Sequence, residues 1–122
     1  MEIRYIIGID GGGTKTDVAL AAVEGDRVDI ITKKTFKASN PNDVGLENAL
    51  CVVSEGLDDV IKDAELESKD ISSIFAGLAG CISRGNKEAF IDLFQKKYSD
   101  NTKYAVESDA ANSIALTAGC GD

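Results

Sequence analysis

The sequence of 122 residues has no histidine, a single proline and three cysteines, and it carries neither a basic cluster nor an apolar run approaching the length of a membrane span. Each absence removes a class of chemistry. Without histidine no imidazole can act as general base, so any proton transfer falls to a carboxylate. Cys51, Cys81 and Cys120 are odd in number, far apart and without histidine, which supports neither a disulfide framework nor a zinc site. They are expected to be reduced, buried thiols. A net charge of -8 with no Lys/Arg footprint argues against a nucleic-acid partner and requires any bound triphosphate to be met by local positive potential. With no spanning run and no signal peptide ahead of the first strand, no membrane partner is expected and the expected location is cytoplasmic.

What is present is an ordinary globular composition, 43% apolar and 28% charged, in a length suited to one domain with a buried core. The apolar run Tyr5 to Ile9 delivers Gly8-Ile9-Asp10-Gly11-Gly12-Gly13-Thr14-Lys15-Thr16, followed at once by a second strand-like run. Backbone N–H groups in such a turn can form an anion-binding nest, to which Thr14 adds a hydroxyl and Lys15 a cation, while Asp10 can hold the metal that accompanies a nucleotide. Two commoner glycine motifs fit poorly. Gly8 to Gly13 has the P-loop interval, but Thr14 stands where that motif needs lysine, and Thr16 occupies the third glycine of G-x-G-x-x-G. Both motifs also open a helix, whereas Thr16 to Val23 alternates like a strand and ends at a Glu24-Gly25-Asp26 turn. A plain glycine-rich hairpin is the competing reading of the glycines alone.

Val28 to Phe36 reads as a third strand at a sheet edge, with Ile30, Thr32 and Lys34 on one side and Ile31, Lys33 and Thr35 on the other. Ser39-Asn40-Pro41-Asn42-Asp43 favours a turn and a helix cap, so a helix is expected to start near Asp43. Leu46, Leu50, Val53, Leu57, Val60 and Ile61 then form one apolar stripe at helical spacing. Ile71 to Gly80 reads as a buried strand ending in small residues, where a ligand or another backbone can approach closely. Ser83 can cap a helix carrying Phe90, Ile91, Phe94 and Tyr98; Tyr104 to Val106 makes a short strand; Ser108 to Gly119 forms a last helix. The order β-β-β-α-β-α-β-α predicts an α/β ribonuclease-H-like domain of the actin-like ATPase type, a mixed sheet with helices on both faces. Ligands of such sheets lie beyond the carboxyl ends of the parallel strands, so Asp10, Gly80 and Asp109 are expected to converge at one crevice.

Four segments in order, Gly8 to Thr16, Ser39 to Gly45, Ala76 to Gly80 and Ser108 to Ala111, resemble the N-terminal half of N-acetylglucosamine kinases of the BadF/BadG/BcrA/BcrD ATPase family. These belong to the actin, hexokinase and Hsp70 superfamily. The resemblance spans nearly the whole chain, residues 1–122 as one N-terminal domain, and implies ATP and Mg2+ as cofactors, a small amino sugar as partner and a homodimer as an assembly to test. It implies that Gly11, Gly12, Gly13, Thr14 and Lys15 form the first phosphate loop, that Asp10 positions magnesium through water, and that Asn40 and Gly80 meet the sugar. Asp109 matches the carboxylate that binds the acceptor hydroxyl and acts as general base; a helix-start aspartate favoured by the macrodipole is its plainer reading. The implied reaction moves the ATP γ-phosphoryl group to the 6-hydroxyl of the sugar.

The family continues past a Gly-rich stretch like Gly119-Cys120-Gly121-Asp122 into a second phosphate loop, an adenosine site and a second domain, so these 122 residues alone are expected to bind ATP weakly and not to turn over. The related class of ATPase activators of 2-hydroxyacyl-CoA dehydratases shares the first loop. Asn40-Pro41-Asn42 and the Asp109 helix favour a kinase over it. A ribonuclease-H-type nuclease is disfavoured because the fourth strand ends in Ala79-Gly80 rather than a carboxylate. A sugar-sensing or actin-like assembly module is the non-enzymatic alternative.

Overall fold

The apolar run from Tyr5 to Ile9 becomes β1 (Arg4–Gly11), the central strand of a five-stranded mixed sheet ordered β3-β2-β1-β4-β5 in the computed structural model, which describes residues 2–80, 86–98 and 102–107. A strand buried on both faces needs a nearly continuous apolar sequence, and Ile6, Ile7 and Ile9 are all buried. β2 (Thr16–Glu24) pairs antiparallel with β1, and β3 (Arg27–Phe36) pairs antiparallel with β2 around a two-residue turn in which Gly25 takes φ 61°. β4 (Ile71–Leu78) and β5 (Lys103–Glu107) extend the sheet on the other side, both parallel to β1.

β3 is the edge strand expected, but its faces differ from the simple alternation. A bulge opposite Leu20 and Ala21 leaves Ile31 without a partner, so Ile30 pairs with Ala21 while Lys33 and Thr35 pair with Ala19 and Asp17. One extra residue flips the pattern, and Ile30 therefore shares its face with Lys33 and Thr35 rather than with Thr32 and Lys34.

The helix expected near Asp43 begins earlier and in two pieces. Asn40 caps a four-residue α1 (Pro41–Val44), with Pro41 at a first-turn position that needs no N–H partner. Gly45, at φ 88° and ψ 150°, breaks the helix before α2 (Leu46–Asp63). α2 buries Ala49, Val53, Gly56, Leu57, Val60 and Ile61, while Leu46 and Leu50 of the expected stripe are only partly buried. Gly56 allows the close approach: a Cβ there would sit 3.0 Å from Val18 and 3.2 Å from Phe36. α3 (Asn86–Lys97) buries Phe90 and Phe94, and Phe94 stacks on Tyr104 of β5 with ring centroids 5.7 Å apart.

α2 and α3 share one core with Ile7, Ile9, Val18, Leu20, Ile74, Ala76 and Val106, on one face of the sheet. A 2.7 Å ion pair from Lys97 to Asp58 joins the two helices at the rim. On the opposite face a small cluster of Ile6, Ala21 and Val23 packs with Val28. The last helix, expected over 108–119, lies outside the described residues, as does Ser83. No helix among the described residues is long and apolar enough to cross a membrane.

Candidate functional site

The β1–β2 turn carries the glycine motif at the edge of the sheet where the parallel strands β1, β4 and β5 end, at Gly11, Leu78 and Glu107. Gly11 and Thr16 form the last ladder pair, and the Gly12 N–H then donates to the Lys15 carbonyl at 2.9 Å. The expected nest over Gly11 to Lys15 is thereby narrowed. Gly11 belongs to the ladder and the Gly12 donor is spent inside the turn, whereas the N–H groups of Gly13, Thr14 and Lys15 meet no backbone carbonyl among the described residues. These three successive donors, on exposed residues, are the part of the loop suited to an anion.

Two other segments fix the loop from behind. The Gly12 carbonyl accepts from the Ser39 N–H at 3.2 Å and the Gly11 carbonyl accepts from the Ala79 N–H at 2.9 Å. Thr16 and Ser39 are fully buried, and their hydroxyls lie 2.7 Å apart. Thr16 donates to the Lys37 carbonyl at 2.7 Å, so Ser39, with the remaining proton, donates to Thr16. Gly11 is glycine for packing: a Cβ would collide with the Ser39 hydroxyl and come within 2.7 Å of Leu78 Cδ2. Sequence reasoning had placed Thr16 and Ser39 inside motifs without giving either this anchoring role. Their signal is only that they flank glycine and asparagine in short turns, which does not reveal a contact between them.

Asp10 lies half-buried at the end of β1, opposite Asp17 of β2 and in register with Gly77 of β4, which in turn pairs with Glu107 of β5. Lys15 reaches Asp17 at 3.5 Å, with its side chain 63% exposed against 14% for Asp17. A 2.6 Å bond from the Thr35 hydroxyl, helped by the charges of Lys15 and Lys33, holds the Asp17 carboxyl below the usual carboxylate range despite its burial. The loop's one lysine is thus turned along the sheet toward a carboxylate rather than standing free at the tip. Among the described residues no three carboxylates or thiols come close enough to share a metal ion, so Asp10 with its neighbour Asp17 does not make a protein cage, and a metal there would need ligands from water or a nucleotide.

Asn40 and Gly80 are brought together. Asn40 Oδ1 accepts the Asn42 N–H at 3.0 Å as the α1 cap. Gly80 has φ 78°, and a Cβ on it would strike Asn40 Oδ1 and stand 3.0 Å from Asn42 Nδ2. Asn86, itself buried at the start of α3, donates to the Gly80 carbonyl at 3.1 Å. Asp109 lies outside the described residues; β5 ends two positions before it, at the same sheet edge. Cys51 corrects the expectation of buried thiols, because it is free and exposed, on an open groove of about 1010 Å³ shared with Phe36, Val44 and Asn48. Cys81 and Cys120 lie outside the described residues.

The chain is 27% identical over 126 residues to the N-acetyl-D-glucosamine kinase of Dictyostelium discoideum, an alignment that covers 98% of this chain and 38% of that protein. It therefore spans well under half the length of the relative it matches. A candidate N-acetylglucosamine kinase of Chromobacterium violaceum shares its fold with a TM-score of 0.60 at 23% identity, over 85% of this chain and 34% of that one. A Ppx/GppA enzyme of Aquifex aeolicus does so with a TM-score of 0.52 at 14% identity, over 86% and 36% respectively. The fold is thus the α/β, ribonuclease-H-like and actin-like ATPase type expected from the element order. Residues 7–120 match the sequence pattern of the BadF/BadG/BcrA/BcrD ATPases, and the chain belongs to that family.

Proposed function

We propose that this chain is the N-terminal, phosphate- and sugar-binding domain of an ATP-dependent kinase that phosphorylates the 6-hydroxyl of an amino sugar, N-acetylglucosamine or glucosamine. One observation carries the reading: the phosphate loop and the Asn40–Gly80 pair adjoin each other at a single sheet edge, joined by the Ala79-to-Gly11 and Ser39-to-Gly12 backbone bonds. A phosphate donor and a sugar acceptor held on the two would lie side by side. The likeness to an N-acetyl-D-glucosamine kinase supports the choice of acceptor.

In this reading Gly13, Thr14 and Lys15 bind phosphate through their backbone, and Gly11 and Gly12 shape the turn that presents them. Asp10 would hold magnesium, which when bound with the nucleotide would supply charge neutralisation on the phosphates. Asn40 and the Gly80 turn orient the sugar. Asp109 accepts the proton of the 6-hydroxyl as its oxygen bonds to the γ-phosphorus and the bond to the ADP oxygen breaks. The protein's share is alignment, so a carboxylate with an ordinary pKa suffices. A cytoplasmic location and a small-molecule acceptor belong to the same proposal.

The test is a phosphorylation screen of the full-length protein that carries this domain against N-acetylglucosamine, glucosamine, N-acetylmannosamine and glucose. Sugar phosphate formation that collapses in Asp109→Ala while ATP binding persists is the expected result. ATP hydrolysis independent of every sugar would instead favour the activator role, which the family's ATPase character also accommodates.

A further inference from the structure

The tip of the phosphate loop is approached by a carboxylate to which the kinase reading gives no role. Asp43 Oδ2 lies 3.3 Å from the position a Cβ on Gly13 would take, which puts a carboxylate at the first of the three residues whose N–H groups meet no backbone carbonyl among the described residues. Local structure does not require it there. The cap of α1 is Asn40, whose side chain takes the Asn42 N–H and whose carbonyl takes the Asp43 N–H at 2.9 Å. A helix of four residues offers little dipole to favour an acid in its first turn. No lysine or arginine among the described residues pairs with Asp43, and the nearby cation of the loop, Lys15, is engaged by Asp17.

We infer that Asp43 makes this loop select phosphate whose charge is already offset by a divalent cation, and reject metal-free triphosphate. The inference rests on the phosphate-loop reading proposed above. A bare triphosphate seated on the Gly13–Lys15 donors brings concentrated negative charge close to this carboxylate. At a separation of about 5 Å on an exposed surface, one such repulsion shifts binding roughly three- to tenfold. Asp10 and Asp17 also lie at this end of the sheet, Asp17 in an ion pair with Lys15, and both are unchanged among the proteins compared below. Carboxylates elsewhere in a chain with net charge -8 are largely screened by salt. A metal-neutralised phosphate feels little of the Asp43 term, so the residue acts on the difference between the two ligands.

The experiment titrates the full-length protein that carries this domain with ATP, once in EDTA and once in excess Mg2+, following the Gly13 amide by NMR. Asp43→Asn is compared with Asp26→Asn, an equal charge change in the β2–β3 turn at the opposite edge of the sheet. Asp43 and Asp26 are both exposed, and an unchanged amide spectrum away from each substitution verifies folding. The expected result is a roughly three- to tenfold gain in affinity for metal-free ATP in Asp43→Asn, under about twofold change with Mg2+, and neither effect in Asp26→Asn. The inference is overturned if Asp43→Asn leaves metal-free affinity unchanged, gains equally with and without Mg2+, or is matched by Asp26→Asn. If ATP moves no loop amide in any protein under either condition, the phosphate-loop reading itself is wrong, and the role of Asp43 falls with it.

Discussion

Replacing Gly11 by alanine tests whether the loop is seated by packing rather than by its own turn preference. The added methyl would overlap the Ser39 hydroxyl and stand 2.7 Å from Leu78 Cδ2, where apolar atoms rest at about 3.5–4.0 Å. Neither neighbour is free to yield: Ser39 and Leu78 are both fully buried, and Ser39 is tied to Thr16. Overpacking of this kind costs about 1–3 kcal/mol. Ser39→Ala alone loses the bond between hydroxyls, worth about 0.5–1.5 kcal/mol, but it also removes one of the two atoms in the way. The double variant is therefore expected to be more stable than the sum of the single losses predicts, by about 1 kcal/mol. Urea unfolding of the parent, both single variants and the double variant, followed by circular dichroism, measures all the terms. A Gly11→Ala protein within about 0.5 kcal/mol of the parent, or strictly additive losses, would refute the packing argument.

Gly80→Ala forces a side chain onto φ 78° and into Asn40, so it should cost about 1–2 kcal/mol and weaken amino-sugar binding in an NMR titration; retained sugar binding would argue against Asn40 as a contact. Gly45→Ala meets no atom within 4 Å, so its expected loss of about 1–3 kcal/mol comes from the backbone alone, and a neutral result in urea unfolding would contradict the φ 88° assignment. The Tyr98 hydroxyl is buried with no hydrogen-bond partner among the described residues, so Tyr98→Phe should stabilise the fold by about 1 kcal/mol in thermal or urea unfolding; destabilisation would refute this. The Asp17 carboxyl has its pKa lowered from 3.8 in the fold, so its interactions stabilise fully above that pH and fade as pH falls below it. Asp17→Asn should accordingly flatten the acid limb of a stability-against-pH curve, and a limb as steep as the parent's would exclude that contribution.

The elements legible in the sequence were those whose signal is local and periodic. β1, β2 and β4 announced themselves by apolar runs bounded by glycine, and α2 by its stripe. The failures arise where a single residue changes phase. Ile31 bulges out of β3 and reverses the side on which Ile30 falls, and nothing in an alternating run marks which residue will be skipped. Gly45 interrupts what reads as one helix starting near Asp43, because the apolar stripe begins only at Leu46 and carries no signal of the break just before it. Cys51 was assigned to the interior on residue type, yet its place on α2 beside Asn48 and Glu55 turns it outward. At the site, the sequence pointed to the loop, Asn40 and Gly80 but not to what supports them. The Thr16–Ser39 pair and the nearness of Asp43 to Gly13 are contacts between segments, which no single stretch of sequence encodes.

The two backbone bonds that land on the successive carbonyls of Gly11 and Gly12 come from β4's exit and from the turn before α1. Their consequence is that the loop cannot be transplanted as a short motif. A peptide copied from Ile9 to Asp17 would keep every glycine and lose both anchors, so its donors would point wherever the hairpin relaxed. Grafting phosphate binding onto another scaffold would have to carry Ser39 and Ala79 along with it, as three strands of chain rather than one. Within this protein the same arrangement makes the amides of Ser39 and Ala79 natural reporters: slower hydrogen exchange at both, on adding a phosphate ligand, would show the loop tightening as a unit.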